Sequence, residues 1–242
     1  MLKYLLLFIY MKYINTDVLN FEFKNSPYPH AIIDNFIKEE YIQYILSDMD
    51  NLTINKSYYF GHESTEKHKF AFNKNLGHML ENIFIALNSD EFIDIIEEKT
   101  GIKNIIRNNL NLQGAGIHKV YNNGFLCMHK DFEGYNDNLH GLLDRRINIL
   151  IYMNPDWKEE YGGHLCLYDE SKNEITKKIL PILNRCVIFF TPNNIHGHPQ
   201  PLNIPEIICR QSIATYYYTK NTTGKNLEGG EIEGVKWYPN IK

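Results

Sequence analysis

From about Leu112 to Tyr218 the sequence consists of short runs in which apolar and polar residues alternate, separated by turn residues. Residues two apart point to the same face of a strand, so each run predicts a strand with one buried face. Roughly eight such runs fall within about 105 residues with no long helical pattern between them, which is typical of a barrel or a jelly-roll sandwich. The predicted strands are residues 117–121, 125–129, 146–153, 164–168, 175–179 and 185–190, a strand near His196, and 211–218.

The Asn123-Gly124 dipeptide lies between the first two of these runs. Asn-Gly favours the tight turns that join two antiparallel strands, so this pair of runs predicts a β-hairpin.

The first 110 residues show mainly helical spacing, at residues 39–49 and around 79–87. A third helix has clear end signals, with Ser89 as N-cap, acidic residues in its first turn and Gly101 as terminator. A short strand is predicted at residues 31–33. We therefore predict an α+β fold. We expect residues 1–110 to form an N-terminal helical support region rather than a separate domain, residues 111–220 to form the strand-rich core, and residues 221–242 to form a C-terminal tail.

Composition and charge indicate which partners and which compartment to expect. The formal net charge is -4, which gives no electrostatic reason to expect nucleic acid or an anionic membrane. The four cysteines, Cys127, Cys166, Cys186 and Cys209, form no Cys-x-x-Cys pair and lie in apolar runs, which favours buried reduced thiols. Residues 2–10 loosely resemble a signal peptide, but the run is short and no small-residue cleavage site follows. We expect a soluble, cytoplasmic protein that begins at Met1 or Met11.

Three residues suggest a metal site. His129 and Asp131 are two apart at the end of a strand-like run, so an imidazole and a carboxylate can share one ion. This pair alone is a weak signal, but His196 follows a later apolar strand. Two histidines and one carboxylate on one face of an octahedral ion leave three positions open, as in non-haem iron(II) oxygenases. Arg210 opens the last strand and can clamp a remote carboxylate, with the Ser212 hydroxyl on the same face.

Residues 117–219 resemble the catalytic domain of the prolyl 4-hydroxylase group within the 2-oxoglutarate/iron(II) dioxygenase superfamily. The resemblance extends beyond the ligands to several ordered stretches at compatible spacings, and none of these stretches lies within residues 1–110. The matching stretches are Tyr121-x-x-Gly124-Phe125-x-x-x-His129-x-Asp131, Arg145 with Ile151-Tyr152-Met153-Asn154-x-x-Trp157, Tyr161-Gly162-Gly163-His164-Leu165, Asn184-Arg185 through Phe190, Ile195-His196-Gly197-His198-Pro199, and Arg210-x-Ser212-Ile213 to Tyr218.

The resemblance implies a double-stranded β-helix, or jelly roll, with Fe(II) bound by His129, Asp131 and His196. It also implies that 2-oxoglutarate and O2 are consumed, that succinate and CO2 are released, and that a substrate is hydroxylated with ascorbate as an accessory reductant. By position, Tyr152 is expected beside Arg210 at the distal carboxylate of the co-substrate, and Tyr121 is a further candidate for lining the co-substrate pocket. Arg210 stands where collagen-type prolyl hydroxylases have Lys, which favours the cytosolic branch of the group.

Several assignments stay open at this point. His198 competes with His196 for the third ligand position, although the resemblance places the ligand directly before Gly197. The other histidines, His164, His118 and His140, are interpreted as structural, and the run from Tyr216 to Tyr218 as packing in the barrel wall. Residues 132–144 are predicted to be a loop that determines substrate choice.

The substrate is also open. A prolyl residue in a peptide is favoured, and a free amino acid, a sugar or another small metabolite is the alternative, since fold and cofactor do not determine the substrate. A non-catalytic jelly-roll binding module is a second alternative, which the complete set of His129, Asp131, His196 and Arg210 disfavours.

Overall fold

A computed structural model describes residues 11–110, 114–191, 193–221 and 234–242. Two antiparallel sheets face each other and form a double-stranded β-helix, so the predicted fold class is confirmed. The larger sheet has eight strands in the order β1-β10-β7-β12-β4-β3-β2, with β6 paired to β7 beside this path. The smaller sheet has five strands in the order β13-β5-β11-β8-β9. The signal-like residues 2–10 and the predicted start of the strand region at Leu112 lie outside the described residues.

The strands have the following bounds. The larger sheet contains β1 (His30–Ile33), β2 (Tyr59–Phe60), β3 (Lys69–Phe72), β4 (Gly116–Val120), β6 (Gly134–Asp137), β7 (Gly141–Tyr152), β10 (Arg185–Phe190) and β12 (Arg210–Lys220). The smaller sheet contains β5 (Leu126–Lys130), β8 (Leu165–Asp169), β9 (Glu174–Ile179), β11 (His196–His198) and β13 (Lys236–Tyr238). Three α-helices precede the central strands, and we number them α1 (Glu39–Asp50), α2 (His78–Leu87) and α3 (Asp90–Thr100).

Alternation along β7 separates the helical layer from the interior of the two-sheet core. Ile147, Ile149 and Ile151 are fully buried in the large cluster that also contains the apolar faces of the three helices. The intervening residues point the other way. Tyr152 and Leu150 belong to the cluster between the two sheets, and Asn148 lines a cavity there. The period-two pattern in the sequence therefore marks which side chains face the helices and which face the interior.

Two polar side chains, the half-buried Asp48 and the buried Lys119, connect α1 to α2 and to the large sheet. The carboxylate of Asp48, in the last turn of α1, accepts hydrogen bonds from the Met79 and Leu80 amides at 2.7 and 3.1 Å, which satisfies the start of α2. Lys119 on β4 is 5% exposed and donates to the carbonyl oxygens of Met49 and Leu52 at 2.7 and 3.1 Å. The C-terminal end of α1 is thereby fixed to the large sheet.

The predicted hairpin at Asn123-Gly124 is wrong. A turn does form, since the Gly124 amide donates to the Tyr121 carbonyl at 2.9 Å. However, β4 pairs with β3 and β12 in the large sheet, and β5 pairs with β11 and β13 in the small one. The chain passes from one sheet to the other at this point, and its backbone groups form hydrogen bonds with a different segment. The Phe125 amide donates to the Lys67 carbonyl, and the Cys127 amide donates to the Thr65 carbonyl.

Residues 132–144 form a second departure from the predictions. They were expected to be a loop, but they contain β6 and the first part of β7, which pair as an antiparallel hairpin. Its turn is fixed by Asp137, whose Oδ1 accepts from the amides of Leu139 and His140 at 2.9 and 2.8 Å and contacts the His140 ring. The proposed role of this segment in substrate choice stays a prediction.

Segments on both sides of the predicted core also contribute strands. Residues before 111 supply β1, β2 and β3, and the predicted C-terminal tail supplies β13.

All four cysteines are free, three of them buried and Cys209 half-buried. Among the described residues, no helix is long and apolar enough to cross a bilayer.

The start of α3 provides a test of the helical layer. The Ser89 side chain accepts a hydrogen bond from the Phe92 amide, and Gly101 ends the helix in the left-handed conformation, as predicted. Ser89→Ala removes this cap and is expected to lower the free energy of unfolding by about 1 kcal/mol. Urea denaturation measures the change. Ser89→Asp retains a capping oxygen and should stay within about 0.5 kcal/mol of the wild type; equal losses in both variants would contradict the capping role.

Candidate metal centre and the cavity around it

Pairing between two strands of the small sheet creates the centre of the site. His129 near the end of β5 is the cross-strand partner of His196 at the start of β11, and their ring centroids are 4.4 Å apart. Asp131 follows directly after β5 and turns its carboxylate toward both rings. Its Oδ1 lies 3.4 Å from Nε2 of His129, and its Oδ2 lies 3.5 Å from Nε2 of His196. The three potential ligand atoms all lie within 4.8 Å of one another.

The hydrogen bonds of the two imidazoles suit them for binding a metal ion. Nδ1 of His129 lies 2.9 Å from the Cys127 carbonyl oxygen, and Nδ1 of His196 lies 3.1 Å from the Asn194 carbonyl oxygen. A carbonyl only accepts, so Nδ1 carries the proton in both rings and a neutral ring presents the lone pair of Nε2. Burial lowers the pKa of His196 to about 4, which keeps this ring neutral at pH 7. Two nitrogen lone pairs thus face a carboxylate, an arrangement that a cation stabilises.

Arg145 is the ion-pair partner of the Asp131 carboxylate. This arginine is 1% exposed, and its Nη2 lies 2.8 Å from Oδ2 of Asp131. Its guanidinium is held between two rings, 3.4 Å from the ring centroid of Tyr216 and 4.5 Å from that of Phe132. Burial alone raises the pKa of Asp131, but the positive charge of Arg145 is the largest influence in the opposite direction, and the pKa lies well below its usual value. The carboxylate is therefore ionised at neutral pH.

The geometry distinguishes the two candidate histidines on β11. His196 belongs to the cluster with His129 and Asp131, whereas His198 does not. His198 is 3% exposed and lines the same cavity, where its Nδ1 has no hydrogen-bond partner among the described residues. Between them Gly197 lies against β5, where a Cβ atom would be 2.7 Å from the Cys127 carbonyl oxygen. This close approach brings the ring of His196 beside that of His129.

Arg210 lies in the same cavity as the cluster. It is 5% exposed, its Nε donates to the Gly163 carbonyl at 2.7 Å, and its Nη2 donates to the Tyr152 hydroxyl at 3.3 Å. Gly163 has a φ of +70°, and a Cβ atom there would be 2.9 Å from Cδ of Arg210. The absence of a side chain at Gly163 therefore leaves room for the Arg210 side chain. Two of the five N–H groups of the guanidinium are used in these bonds, which leaves donors for a bidentate carboxylate.

Of the other residues predicted to bind the co-substrate, Ser212 and Tyr152 lie beside Arg210, whereas Tyr121 does not. Ser212 is 2% exposed and lines the cavity beside Arg210, as its spacing predicts. Tyr152 is fully buried, and its hydroxyl accepts a hydrogen bond from Nη2 of Arg210. Tyr121 does not line the cavity. Its ring packs edge-on against Phe70, at a centroid distance of 5.5 Å, because the chain turns at this point toward the other sheet.

The cluster and Arg210 share one cavity of about 520 Å³. Several of its lining residues were not singled out from the sequence. His118 was interpreted as structural, yet it lines the cavity, and burial together with the charge of Lys69 lowers its pKa to about 3. Tyr216 lines it too, against Arg145, while Tyr217 is buried below the helices. Residues outside the predicted core contribute as well, namely Tyr58, Tyr59, Glu66, Lys69, Ala71, Asn73, Val235 and Trp237.

Two of the residues that line the cavity could have been identified from the strand pattern in the sequence. Asn148 is a polar residue at an inward-facing position of β7, and Arg145 stands on the same strand ahead of it. No sequence pattern predicts that Trp237 lines the cavity, because nothing in the local sequence indicates which strand the C-terminal segment pairs with. Two histidines interpreted as structural do have protein partners outside the cluster. Nε2 of His164 lies 2.9 Å from Glu159, and Nδ1 of His140 lies 2.8 Å from Asp137.

Comparison with known proteins agrees with this site. Residues 115–219 match the family model described as the 2OG-Fe(II) oxygenase superfamily. Prolyl 3-hydroxylase OGFOD1 from Mus musculus is 23% identical over 206 residues, which is 82% of this chain and 34% of the mouse protein. The chain thus spans about a third of the length of this relative.

Two solved structures show the same fold. A prolyl hydroxylase from Trichoplax adhaerens, in complex with a peptide fragment of the hypoxia inducible factor oxygen degradation domain, superposes with a TM-score of 0.58 at 20% identity, covering 79% of this chain and 83% of that one. HygX from Streptomyces hygroscopicus, with nickel and 2-oxoglutarate bound, superposes with a TM-score of 0.56 at 10% identity, covering 88% and 94%. Together, the fold, the cluster and the family match point to one class. Residues 115–219 match the 2OG-Fe(II) oxygenase superfamily, and the resemblance to prolyl hydroxylases is confirmed.

The ion pair at the centre of the site leads to a prediction about stability. Arg145→Gln leaves the buried Asp131 carboxylate without its guanidinium, and we expect the free energy of unfolding of the metal-free protein to fall by about 3 kcal/mol. Urea denaturation monitored by circular dichroism gives this value. Combining it with Asp131→Asn should recover most of the loss, since the double variant buries no uncompensated charge. Losses that simply add in the double variant would show that the two side chains are not coupled.

Proposed function

We propose that this protein is a 2-oxoglutarate- and Fe(II)-dependent dioxygenase that hydroxylates a prolyl residue of a peptide and releases succinate and CO2. The observation that carries the proposal is the convergence of His129, Asp131 and His196 in one cavity with a buried, oriented Arg210. A binding module would not require both a metal cluster and a fixed carboxylate clamp.

The donor set fits Fe(II). Two imidazole nitrogens and one carboxylate oxygen on one side of an ion leave adjacent positions open, which is the arrangement found in non-haem iron(II) oxygenases. Oδ1 and Oδ2 of Asp131 lie 3.4 and 3.5 Å from the Nε2 atoms of His129 and His196, so the carboxylate is placed to share one ion with both rings. When bound, the ion supplies the redox chemistry that couples decarboxylation of 2-oxoglutarate to hydroxylation of the substrate. The protein residues orient the reactants and exclude water.

Arg210 is assigned to the distal carboxylate of 2-oxoglutarate. Its position is set by the Gly163 carbonyl and the Tyr152 hydroxyl, so little side-chain freedom remains to be lost on binding. The Ser212 hydroxyl lines the same end of the cavity and can donate to that carboxylate. A planar guanidinium recognises a carboxylate through two parallel hydrogen bonds, which a lysine at this position would not provide.

The walls around the metal cluster are aromatic. Phe132, Tyr216 and Trp237 line the cavity beside the ligands, and Tyr58 and Tyr59 line it from the other side. Such walls restrict water near the reacting atoms and suit an apolar, compact substrate group such as a prolyl ring.

The charges of the cavity favour a prolyl residue over a free amino acid. Among the described lining residues, the charged side chains are Glu66, Lys69, Asp131, Arg145 and Arg210. Glu66 accepts from Lys69 and from the Tyr59 hydroxyl, and Asp131 pairs with Arg145. With Arg210 assigned to the co-substrate, no charged side chain is left to pair with the ammonium and carboxylate of free proline, whose desolvation would then be uncompensated. A prolyl residue within a peptide carries neither charge.

Support also comes from the relatives. OGFOD1 is a prolyl 3-hydroxylase, and the Trichoplax adhaerens prolyl hydroxylase was solved with a peptide. Because the chain covers 34% of the mouse protein, these names support the class of substrate and leave the ring position of hydroxylation to experiment.

The chemistry is tested first by succinate formation. Purified protein with Fe(II), ascorbate and 2-oxoglutarate should form succinate slowly, and His129→Ala should reduce the rate at least about 100-fold because a metal ligand is lost. His78→Ala is the matched control, since His78 is exposed on α2 and its ring forms its hydrogen bonds with Asn82. Where no turnover occurs without substrate, calorimetric titration with Fe(II) and 2-oxoglutarate under anaerobic conditions replaces the assay. Wild-type protein that binds neither would overturn the proposal.

The substrate class is tested by stimulated turnover. Proline-containing peptides should increase succinate formation and gain one oxygen atom on the prolyl ring, as measured by mass spectrometry, whereas free L-proline should do neither. The same assay with free amino acids and sugars covers the alternative substrates. Stimulation by free proline or a sugar, with none by peptides, would reject the prolyl assignment while leaving the dioxygenase chemistry intact.

A further inference from the structure

The C-terminal strand places an aromatic ring against the metal cluster. Strand β13 is the edge strand of the small sheet and pairs with β5 in the register Lys236 with Lys130, Trp237 with His129, and Tyr238 with Met128. The indole centroid of Trp237 lies 5.0 Å from the imidazole centroid of His129, with 39° between the ring planes. On the other side of β5, His196 is the partner of the same histidine at 4.4 Å. The His129 ring is thus enclosed between a second ligand and an indole.

This contact restricts a movement that the hydrogen bond of His129 leaves free. The bond from Nδ1 to the Cys127 carbonyl fixes the tautomer and one edge of the ring. A ring held by one edge can still tilt about that bond, and tilting would move Nε2 away from Asp131 and His196. The indole of Trp237 occupies the space into which the ring would tilt, so it helps to keep Nε2 directed at the cluster.

The strand that carries Trp237 is held in place by its own apolar contacts. Tyr238 and Ile241 pack against the cluster of Met128, Cys166, Tyr168 and Ile195, on the opposite face of β5 from the cavity. Trp237 itself is half-buried and lines the cavity together with Val235. The alternation along β13 therefore directs one face to the core of the protein and the other to the metal cluster.

We propose that Trp237 is a positioning residue for the metal site, which holds the His129 imidazole in its ligating orientation and closes the cavity beside the cluster. This inference rests on the proposed function to the extent that His129 binds a metal ion. It also assigns a role in the site to a segment outside residues 115–219, the part of the chain that matches the oxygenase family.

The location is tested by fluorescence. The chain has two tryptophans, and the second, Trp157, lies in a separate apolar cluster with Val120, Leu202 and Ile204, where its Nε1 donates to the Gly162 carbonyl. Co(II) quenches the emission of a nearby indole. We expect Co(II) to quench the wild type and Trp157→Phe, and we expect Trp237→Phe to lose most of the quenching. Absence of quenching in Trp157→Phe, in which Trp237 is the remaining tryptophan, would place its indole away from the bound ion and overturn the inference.

The positioning role is tested by Co(II) affinity, measured by calorimetry without co-substrate. Trp237→Leu keeps apolar bulk but removes the ring, and it should weaken Co(II) binding about 3- to 10-fold, the size expected for loss of one aromatic contact to a ligand. Trp237→Phe should restore the affinity to within about 2-fold of the wild type, because an aromatic face is retained.

The outcomes separate this inference from the function on which it rests. Thermal melting of the metal-free variants shows whether they are folded, and the comparison of Leu with Phe is made between proteins of similar melting temperature. Equal Co(II) affinities for the wild type and Trp237→Leu would overturn the positioning role and leave the proposed function standing. Failure of the wild type to bind Co(II) would overturn both.

Discussion

The carboxylate of Asp131 is the group on which the arrangement of the site depends. Its side chain is 10% exposed, it is kept ionised chiefly by Arg145 at 2.8 Å, and it faces the Nε2 atoms of two imidazoles. Without a cation, two lone pairs directed at a carboxylate are unfavourable, so the protein has to hold these groups together by other contacts. It does so through the pairing of β5 with β11, through the carbonyls that fix both Nδ1 atoms, and through the two rings that enclose Arg145.

The same requirement explains why strand register matters so much here. A shift of one residue between β5 and β11 would turn either His129 or His196 to the opposite face and separate the ligands. On the large sheet, the alternation that buries Ile149 and Ile151 against the helices places Leu150 and Tyr152 in the interior. Since β12 pairs with β7 so that Ser212 lies opposite Tyr152, the co-substrate side of the cavity follows from that register. Packing against the helices and placement of polar groups in the site are consequences of one alternating pattern.

Much of this could be predicted from the sequence because it depends on local periodicity. The strands, the capped helix after Ser89 and the grouping of His129, Asp131 and His196 follow from spacing together with the resemblance to prolyl hydroxylases. The errors concern pairing over long distances. Asn123-Gly124 does form a turn, but the backbone partners of β5 come from residues 65 and 67 and from β11 and β13, which local sequence does not reveal. Tyr121 was placed by position in a motif, and its ring packs instead on Phe70 because the chain crosses between sheets there.

Trp237, Glu66 and Lys69 could not be assigned to the site for a related reason, since each reaches the cavity from a segment far away in sequence. The residues proposed to bind the metal and the co-substrate all lie within 115–219, the stretch that matches the oxygenase family. Phe132 and Tyr216 of this stretch form part of the walls facing them, and the walls are completed from outside it, by β2 and β3 on one side and by β13 on the other. Under the proposed function, a prolyl ring and a sugar would meet the same three ligands and the same Arg210. They would be distinguished by the walls, to which both this stretch and the flanking segments contribute.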